Sequence, residues 1–392
     1  MDSSLPNAIL AAIERVAKGA ARPVPLHQPT FGGNEWQYVK ECLDTGWVSS
    51  VGQFVDRFEA MLAEYCGARR AVAVVNGTAA LQVCLELAGV ARGDEVLVPA
   101  LTFVATANAV AYCGATPHFV DSDELSLGVD PRKLSDYLGE IAEVRPQGAF
   151  NRRTGARIKA LVPMHAFGHP ADLDPLVELA ARYKLDLVED AAESLGSYYK
   201  GRHTGAIGRL GALSFNGNKI LTTGGGGAIL TNDEELGRRA KHLTTTARIT
   251  HRWQFSHDEI GYNYRMPNLN AALGCAQLEQ LEGFLASKRR LAEKYAESFA
   301  GMEGVRLHRE PPYGKSNYWL NAILLDARFS RERDTVLEMT NDAGYSTRPA
   351  WKLMSALPMF ERSPRMPLAA AESIEARLVC MPSSAPLGEK HA

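Results

Sequence analysis

From Arg69 onward the chain alternates short runs that are apolar at nearly every position with longer stretches whose apolar residues recur every three or four positions. "AVAVV" leads into "NGTAALQVCLELAGV", and "DEVLVPA" into "TFVATANAVAYCGA". "TPHFVD" follows, then "IKALVPMHAF" before "LDPLVELAARYK", then "LDLVED". Strands that are apolar on both faces and separated by helices predict a largely parallel sheet covered on each side. "ALSF" and "GAILT" predict two further strands flanking a glycine run. Ile9, Ile13 and Val16 stand at helical spacing and predict a short amphipathic helix near the start.

Past Pro267 the texture changes. "NLNAALGCAQLEQLEGFLASKRRLAEKYAESFAG" reads as one long helix with Leu269, Leu273, Ala276 and Leu281 on its apolar side. "VRLHR" and "YWLNAILLD" follow, then a helix through "DTVLEMTNDAG" and a short "YSTRPA". The expected organisation is an N-terminal helix and arm (1–30), a large α/β domain (31–267) and a smaller α+β domain (268–392).

Composition narrows the function classes. A formal net charge of -2 on 392 residues leaves no basic excess to neutralise phosphates, so no nucleic-acid partner is expected. No run of about 18 apolar residues exists to span a membrane. "MDSSLPNAILAAIERVAKGA" lacks the basic segment and apolar core of a secretory signal, and a cytoplasmic protein is expected. The six cysteines contain no CxxC pair, which fits reduced thiols better than a metal or a disulfide framework.

Several motifs carry possible chemistry. In "VVNGTAALQ" a strand ends and Gly77 and Thr78 open a helix, whose free N–H groups suit a phosphate; Thr78 is equally suited to capping that helix. The P-loop spacing is absent there and at "GKS" (Gly314 to Ser316), and no GxGxxG follows the first strand. "LDLVEDAAESLGS" ends an apolar strand in Glu189 and Asp190, at the edge where parallel sheets bind ligands. Asp190 there is either a solvated cap or a carboxylate needing a cation such as a protonated pyridine nitrogen. Phe103 in "TFVATANAV" could cover a flat ring or pack in the core. "MHAFGHP" spaces His165 and His169 four apart, but Gly168 and Pro170 preclude the helix that would align them on a metal. "SFNGNKILTTGGGG" sets Lys219 between a strand and four glycines, as a solvated turn or as a lysine reaching something bound. Together, in this order, these are the parts that hold pyridoxal 5'-phosphate.

"NGTAAL", "TFVATANAV", "VEDAAESLGS", "SFNGNKILTTGGGG" and "GYNYRMPNLNAALGCAQLE" resemble the DegT/DnrJ/EryC1/StrS sugar aminotransferases, from about Pro25 to the C-terminus. The resemblance implies the fold type I, aspartate aminotransferase-like architecture and a homodimer with shared active sites. By it, Lys219 carries the cofactor as a Schiff base and Asp190 pairs with the pyridinium nitrogen. Gly77, Thr78 and Ser214 bind the phosphate, Phe103 stacks on the ring, and Asn263 reaches the phosphate of the neighbouring subunit. Many members carry Gln where this chain has Glu193, on the side of the ring hydroxyl. Many also show a histidine after "RPxW", whereas this chain reads "RPAWKLMSALP", so Lys352 and Met354 receive no role. A dehydratase of this fold would have histidine in place of Lys219, and a non-catalytic homologue would have lost Lys219 or Asp190.

The implied reaction moves an amino group from L-glutamate to C4 of a nucleotide-linked 4-keto-6-deoxy sugar. UDP-2-acetamido-2,6-dideoxy-4-keto-glucose is the first expectation, with a GDP-perosamine-type or a 3-keto sugar substrate as alternatives. Thr45 to Ser50 and the loop from Arg248 to Tyr264 are expected to line the sugar-nucleotide pocket.

Overall fold

In a computed structural model, which describes residues 4–389, the apolar runs form the spine of one large sheet. The strand order is Arg70–Val74, Gly227–Thr231, Leu210–Ser214, Asp186–Asp190, Arg157–Leu161, Glu95–Pro99, Thr116–Val120. All neighbours after Leu210–Ser214 run parallel, while Gly227–Thr231 is antiparallel to both strands beside it. Burial on both faces explains the unbroken apolar runs: Glu95–Pro99 and Gly227–Thr231 are buried at every position. Removing a Leu or Val side chain such as Leu97 or Val98 from water contributes about 1.5–3 kcal/mol each.

Register places the chemistry. Ala212 lies opposite Asp190, and Val74, Gly227 and Ser214 stand side by side across three strands. The carboxyl ends of the parallel strands therefore bring Asp190, Ser214 and the start of helix Gly77–Leu87 to one edge. Glycine is required at this junction. A Cβ on Gly227 would lie 2.5 Å from the backbone of Asn76, and one on Gly77 would lie 2.8 Å from the Ser214 Cβ.

The smaller unit holds an antiparallel sheet ordered Val305–Leu307, Asn321–Leu325, Leu378–Met381, Arg348–Pro349. Pro349 lacks an N–H and sits on the edge strand, where proline is tolerated. Helix Leu5–Val16 packs here, with Ile9, Ile13, Leu291, Tyr295, Ile323 and Val379 in one buried cluster.

The stretch read as one long helix is two, Asn268–Leu278 and Leu281–Ser298. Nothing between them breaks helices; Leu278 and Leu281, on either side of the bend, both pack in the large core, and the second helix passes on into the small one. Ala271, Ala272 and Cys275 pack in the large core, while Leu291 and Tyr295 pack in the small one. Glu279 and Gln280, at the bend, are held by Arg57, Asn34, Tyr38 and Glu35. A hairpin absent from the sequence reading, Ala142–Arg145 with Gly148–Asn151, extends the large sheet beside Arg157–Leu161.

Candidate active site

A cavity of about 610 Å³ opens at the carboxyl edge of the sheet, with Gly77, Thr78, Phe103, Asp190, Glu193, Ser214 and Lys219 all on its wall. The Asn76 side chain, not that of Thr78, caps the helix, accepting from the Ala79 N–H at 2.8 Å. The first N–H groups of a helix lack intrahelical partners, so Gly77 and Thr78 present donors and a partial positive charge beside the Ser214 hydroxyl.

Asp190 ends its strand and is only 5% exposed. Its Oδ2 accepts from the Thr106 hydroxyl at 2.7 Å, and its Oδ1 from the Ala192 N–H at 3.2 Å. Thr102 lies 2.8 Å from the Thr106 hydroxyl and is its second hydrogen-bond partner. Among the described residues no cation lies within ion-pair distance of Asp190. A buried carboxylate with neutral donors alone is costly, and a positively charged ring nitrogen in the cavity would answer it.

Lys219 lies five residues past the end of strand Leu210–Ser214, in a turn closed by its N–H to the Asn216 carbonyl at 2.9 Å. Its Nζ donates to Glu193 Oε1 at 3.2 Å and stands 4.0 Å from the centre of the Trp319 ring. The indole N–H of Trp319 donates back to the Asn218 carbonyl, which ties the ring to the lysine turn. The other oxygen of Glu193 accepts from the Phe167 N–H at 2.9 Å. Phe167 holds that position with a positive φ of 55°, and its ring stacks on Trp351. Burial pushes the Glu193 carboxyl up to about 7, with Lys219 and the Phe167 N–H opposing and the Asp190 charge adding.

The cavity also has walls that the sequence reading did not assign: Leu26, Phe167, Trp319, Trp351 and Arg348. Only the residues at strand ends and beside glycines carried a local signal. Phe103 is half exposed at the start of helix Val104–Tyr112 and faces the cavity as an open ring.

The two histidines of "MHAFGHP" face different neighbours. His165 is buried, accepts from the Ala171 N–H through Nδ1 and therefore donates from Nε2 to Glu189 at 3.0 Å. It is a packed, hydrogen-bonded histidine off the cavity wall. His169 packs edge-on against His308, and burial draws it down to about 4. Glu189, beside Asp190, points away to the N–H groups of Gly205, Ile207 and Gly208. Asn263 is exposed and does not line the cavity of its own chain; its backbone bridges Thr245. Thr45 to Ser50 and Arg248 to Tyr264 also stay off that wall. Lys352 is exposed, and Met354 is buried with its N–H on the Ala100 carbonyl.

The six cysteines are unpaired. No helix among the described residues is long and apolar enough to cross a membrane.

Comparison with known proteins identifies the family. The model of the DegT/DnrJ/EryC1/StrS aminotransferase family matches residues 29–392. GDP-perosamine synthase of Escherichia coli O157:H7 is 39% identical over 361 residues, covering 92% of this chain and 93% of that protein. GDP-perosamine synthase of Caulobacter vibrioides is 38% identical over 370 residues, covering 93% and 94%. Among solved structures, S. venezuelae DesV, in complex with a ketimine intermediate, superposes with a TM-score of 0.80 at 31% identity, covering 91% of each chain. The fold thus agrees with the family match, and the chain belongs to the pyridoxal phosphate-dependent DegT/DnrJ/EryC1/StrS sugar aminotransferases.

Proposed function

We propose that the chain transfers the amino group of L-glutamate to C4 of a nucleotide-linked 4-keto-6-deoxy sugar, with Lys219 and Asp190 as its catalytic residues. The observation that carries this reading is the convergence of Lys219, Asp190, Ser214 and the Gly77 helix start on one cavity. The sequence placed a UDP-linked acetamido sugar first. Similarity to two GDP-perosamine synthases, at 39% and 38% identity, supports the alternative, and a GDP-linked 4-keto sugar is our first choice.

The residues present fit the cofactor. The Gly77–Ser214 contact leaves room only for a glycine, the free helix N-terminus suits a phosphate, and Asp190 lacks a counter-cation. When bound, pyridoxal phosphate supplies an electron sink for the carbanion formed as a proton leaves the amine-bearing carbon. Asp190, oriented by Thr106 and Ala192, would hold the ring nitrogen in its charged form. Lys219, once its Nζ is uncharged, takes and returns the proton from the cavity floor. Trp319, its ring centre 4.0 Å from the Lys219 Nζ, covers the lysine on one side, and Phe103 offers its open ring to the cavity.

The substrate test is a direct comparison with glutamate as donor and equal enzyme. The GDP-linked 4-keto-6-deoxy sugar is expected to turn over at least about tenfold faster than UDP-2-acetamido-2,6-dideoxy-4-keto-glucose, one extra polar contact being worth about 1.4 kcal/mol in kcat/KM. Faster turnover of the UDP sugar would restore the sequence-based order and leave the aminotransferase chemistry intact.

The active site is proposed to be completed by a second copy of the chain. The arm from Arg248 to Tyr264 carries Trp253, Phe255 and Ile260 at 69%, 77% and 88% exposure, an apolar surface that suits burial in a dimer. Asn263 stands on that arm, its side chain without a hydrogen bond among the described residues. Mixing inactive Lys219→Ala with inactive Asn263→Ala protein is expected to restore up to about a quarter of the wild-type sites, because half of randomly exchanged dimers are mixed and each holds one intact site. No recovery, with subunit exchange demonstrated, would count against a shared site.

A further inference from the structure

Trp319 reaches Lys219 from a strained stretch of backbone. Tyr318, the residue before it, stands at a φ of 49°, in the left-handed region that a bulky aromatic residue seldom adopts. Such a conformation persists only where its surroundings over-determine it. Here the Tyr318 N–H donates to the Ser316 hydroxyl at 3.0 Å, and the Trp319 N–H to the Asn317 side-chain oxygen at 2.7 Å. Asn317 is itself tied to the carbonyls of Glu193 and Leu195, each at 2.9 Å. The outcome is a ring whose centre lies 4.0 Å from the Lys219 Nζ and whose N–H holds the Asn218 carbonyl at 2.7 Å.

A further bond on this turn comes from the second domain. Lys288, on helix Leu281–Ser298, is fully buried, and its Nζ donates to the Trp319 carbonyl at 3.1 Å and to the Ser383 carbonyl. Both acceptors are main-chain carbonyls, and among the described residues Lys288 has no carboxylate partner. A lysine buried in this way is costly as a cation, and burial draws Lys288 down to about 7. Both carbonyls belong to the frame of the cavity. Trp319 lines it directly, and the Ser383 N–H holds the carbonyl of Leu26, another wall residue, at 2.7 Å. A methionine would fill the same space with no polar cost, so packing alone does not account for a lysine here.

We propose that Lys288 is a positioning residue for the reaction: through the Trp319 carbonyl it holds the strained turn where the indole lies against Lys219. Lys219 has a long side chain with many rotamers, and its Nζ is confined by the Glu193 carboxylate at 3.2 Å and by the Trp319 ring. Without Lys288 the Trp319 carbonyl loses its donor, Tyr318 relaxes toward an ordinary φ, and the indole turns away from the amine. A catalytic group misplaced by about 1 Å can lose about a hundredfold in rate. Lys288 itself is off the cavity wall, so its loss acts on the chemical step and not on the binding of substrate. This proposal rests on the assignment of Lys219 as the covalent residue.

The test is a double-mutant cycle on the half-reaction of the holoenzyme with L-glutamate, followed by the loss of its yellow absorbance. Lys288→Met is expected to lower the saturating rate about ten- to a hundredfold and to leave the half-saturating glutamate concentration within about twofold. In a Trp319→Leu background the same change is expected to cost less than about twofold, because the ring through which Lys288 acts is gone. Equal losses in the two backgrounds would overturn the proposal, as would an unchanged rate in Lys288→Met alone. A second readout needs no turnover: fluorine NMR of apoprotein labelled with fluorotryptophan, the Trp319 line being the one missing from Trp319→Leu. That line is expected to shift in Lys288→Met while those of exposed Trp36 and Trp253 stay in place; an unmoved Trp319 line overturns the proposal. If Lys288→Met fails to fold, Lys288→Gln, too short to reach both carbonyls, goes through the same cycle with the same expected outcomes. Borohydride reduction of the wild type separates the two readings. Cofactor fixed to Lys219 with equal losses in the cycle sinks Lys288 alone; no cofactor on Lys219 sinks both.

Discussion

Lys219→Ala is expected to abolish turnover, by at least about 10⁴-fold in kcat, since general acid–base catalysis alone contributes up to that factor. The geometry gives no substitute. Among the described residues Arg348 is the other basic side chain on the cavity wall, and it is engaged by Asn341 and the Thr347 carbonyl. The variant should fold, because the Lys219 side chain sits at the cavity wall, where its removal opens no sealed void. Loss of the ammonium would leave Glu193 buried without a cation and drive it further toward its neutral form. Wild-type protein is expected to hold a yellow chromophore that borohydride fixes to the peptide containing Lys219, and the variant to hold none covalently. Turnover within tenfold of wild type would remove Lys219 from the mechanism.

Asp190→Asn is expected to lower kcat by roughly 10³-fold with the fold intact. An ion pair at a few ångströms is worth about 4 kcal/mol at an effective dielectric near 20, and that figure corresponds to roughly three powers of ten in rate. The amide keeps the size of the carboxylate and can still accept from the Ala192 N–H, while the Thr106 hydroxyl can turn to accept from its NH2. Only the charge is lost, so a ring nitrogen beside it is held protonated less of the time. Single-turnover rates, with circular dichroism as the control for folding, measure the effect. A variant within fivefold of wild type would show that the Asp190 charge does not matter to the chemistry.

The elements that a reader of the sequence finds are those whose signal is local. Helix Gly77–Leu87 and strands Asp186–Asp190 and Gly227–Thr231 follow directly from apolar runs closed by Gly, Asn or Asp. The hairpin Ala142–Arg145 with Gly148–Asn151 escapes because its strands are short and its outer positions polar, which reads as a loop. The bend after Leu278 escapes because Glu279 and Gln280 are held there by Asn34, Glu35, Tyr38 and Arg57, partners far away in sequence that no residue near the bend announces. Within the cavity, Asp190, Lys219 and Ser214 stand at strand ends or beside glycines and advertise themselves. Trp319, Arg348 and Leu26 reach the same wall from segments roughly 100 to 200 residues away, and they look like ordinary core or surface until the chain is folded. Phe167 is legible only from its positive φ, which no pattern in "MHAFGHP" announces.

Helix Leu5–Val16 has its partners in Leu291, Tyr295, Ile323 and Val379, so it must wait for segments synthesised long after it. A nascent chain leaving the ribosome can complete the large sheet while this amphipathic helix is still unmatched, carrying an apolar face that chaperones recognise. Once strand Leu378–Met381 arrives, Leu26 and Gln28 are fastened to Ser383 and Ser384, and Leu26 takes its place on the cavity wall. A chain stalled before Ser383 would therefore hold Lys219 and Asp190 in an unclosed pocket.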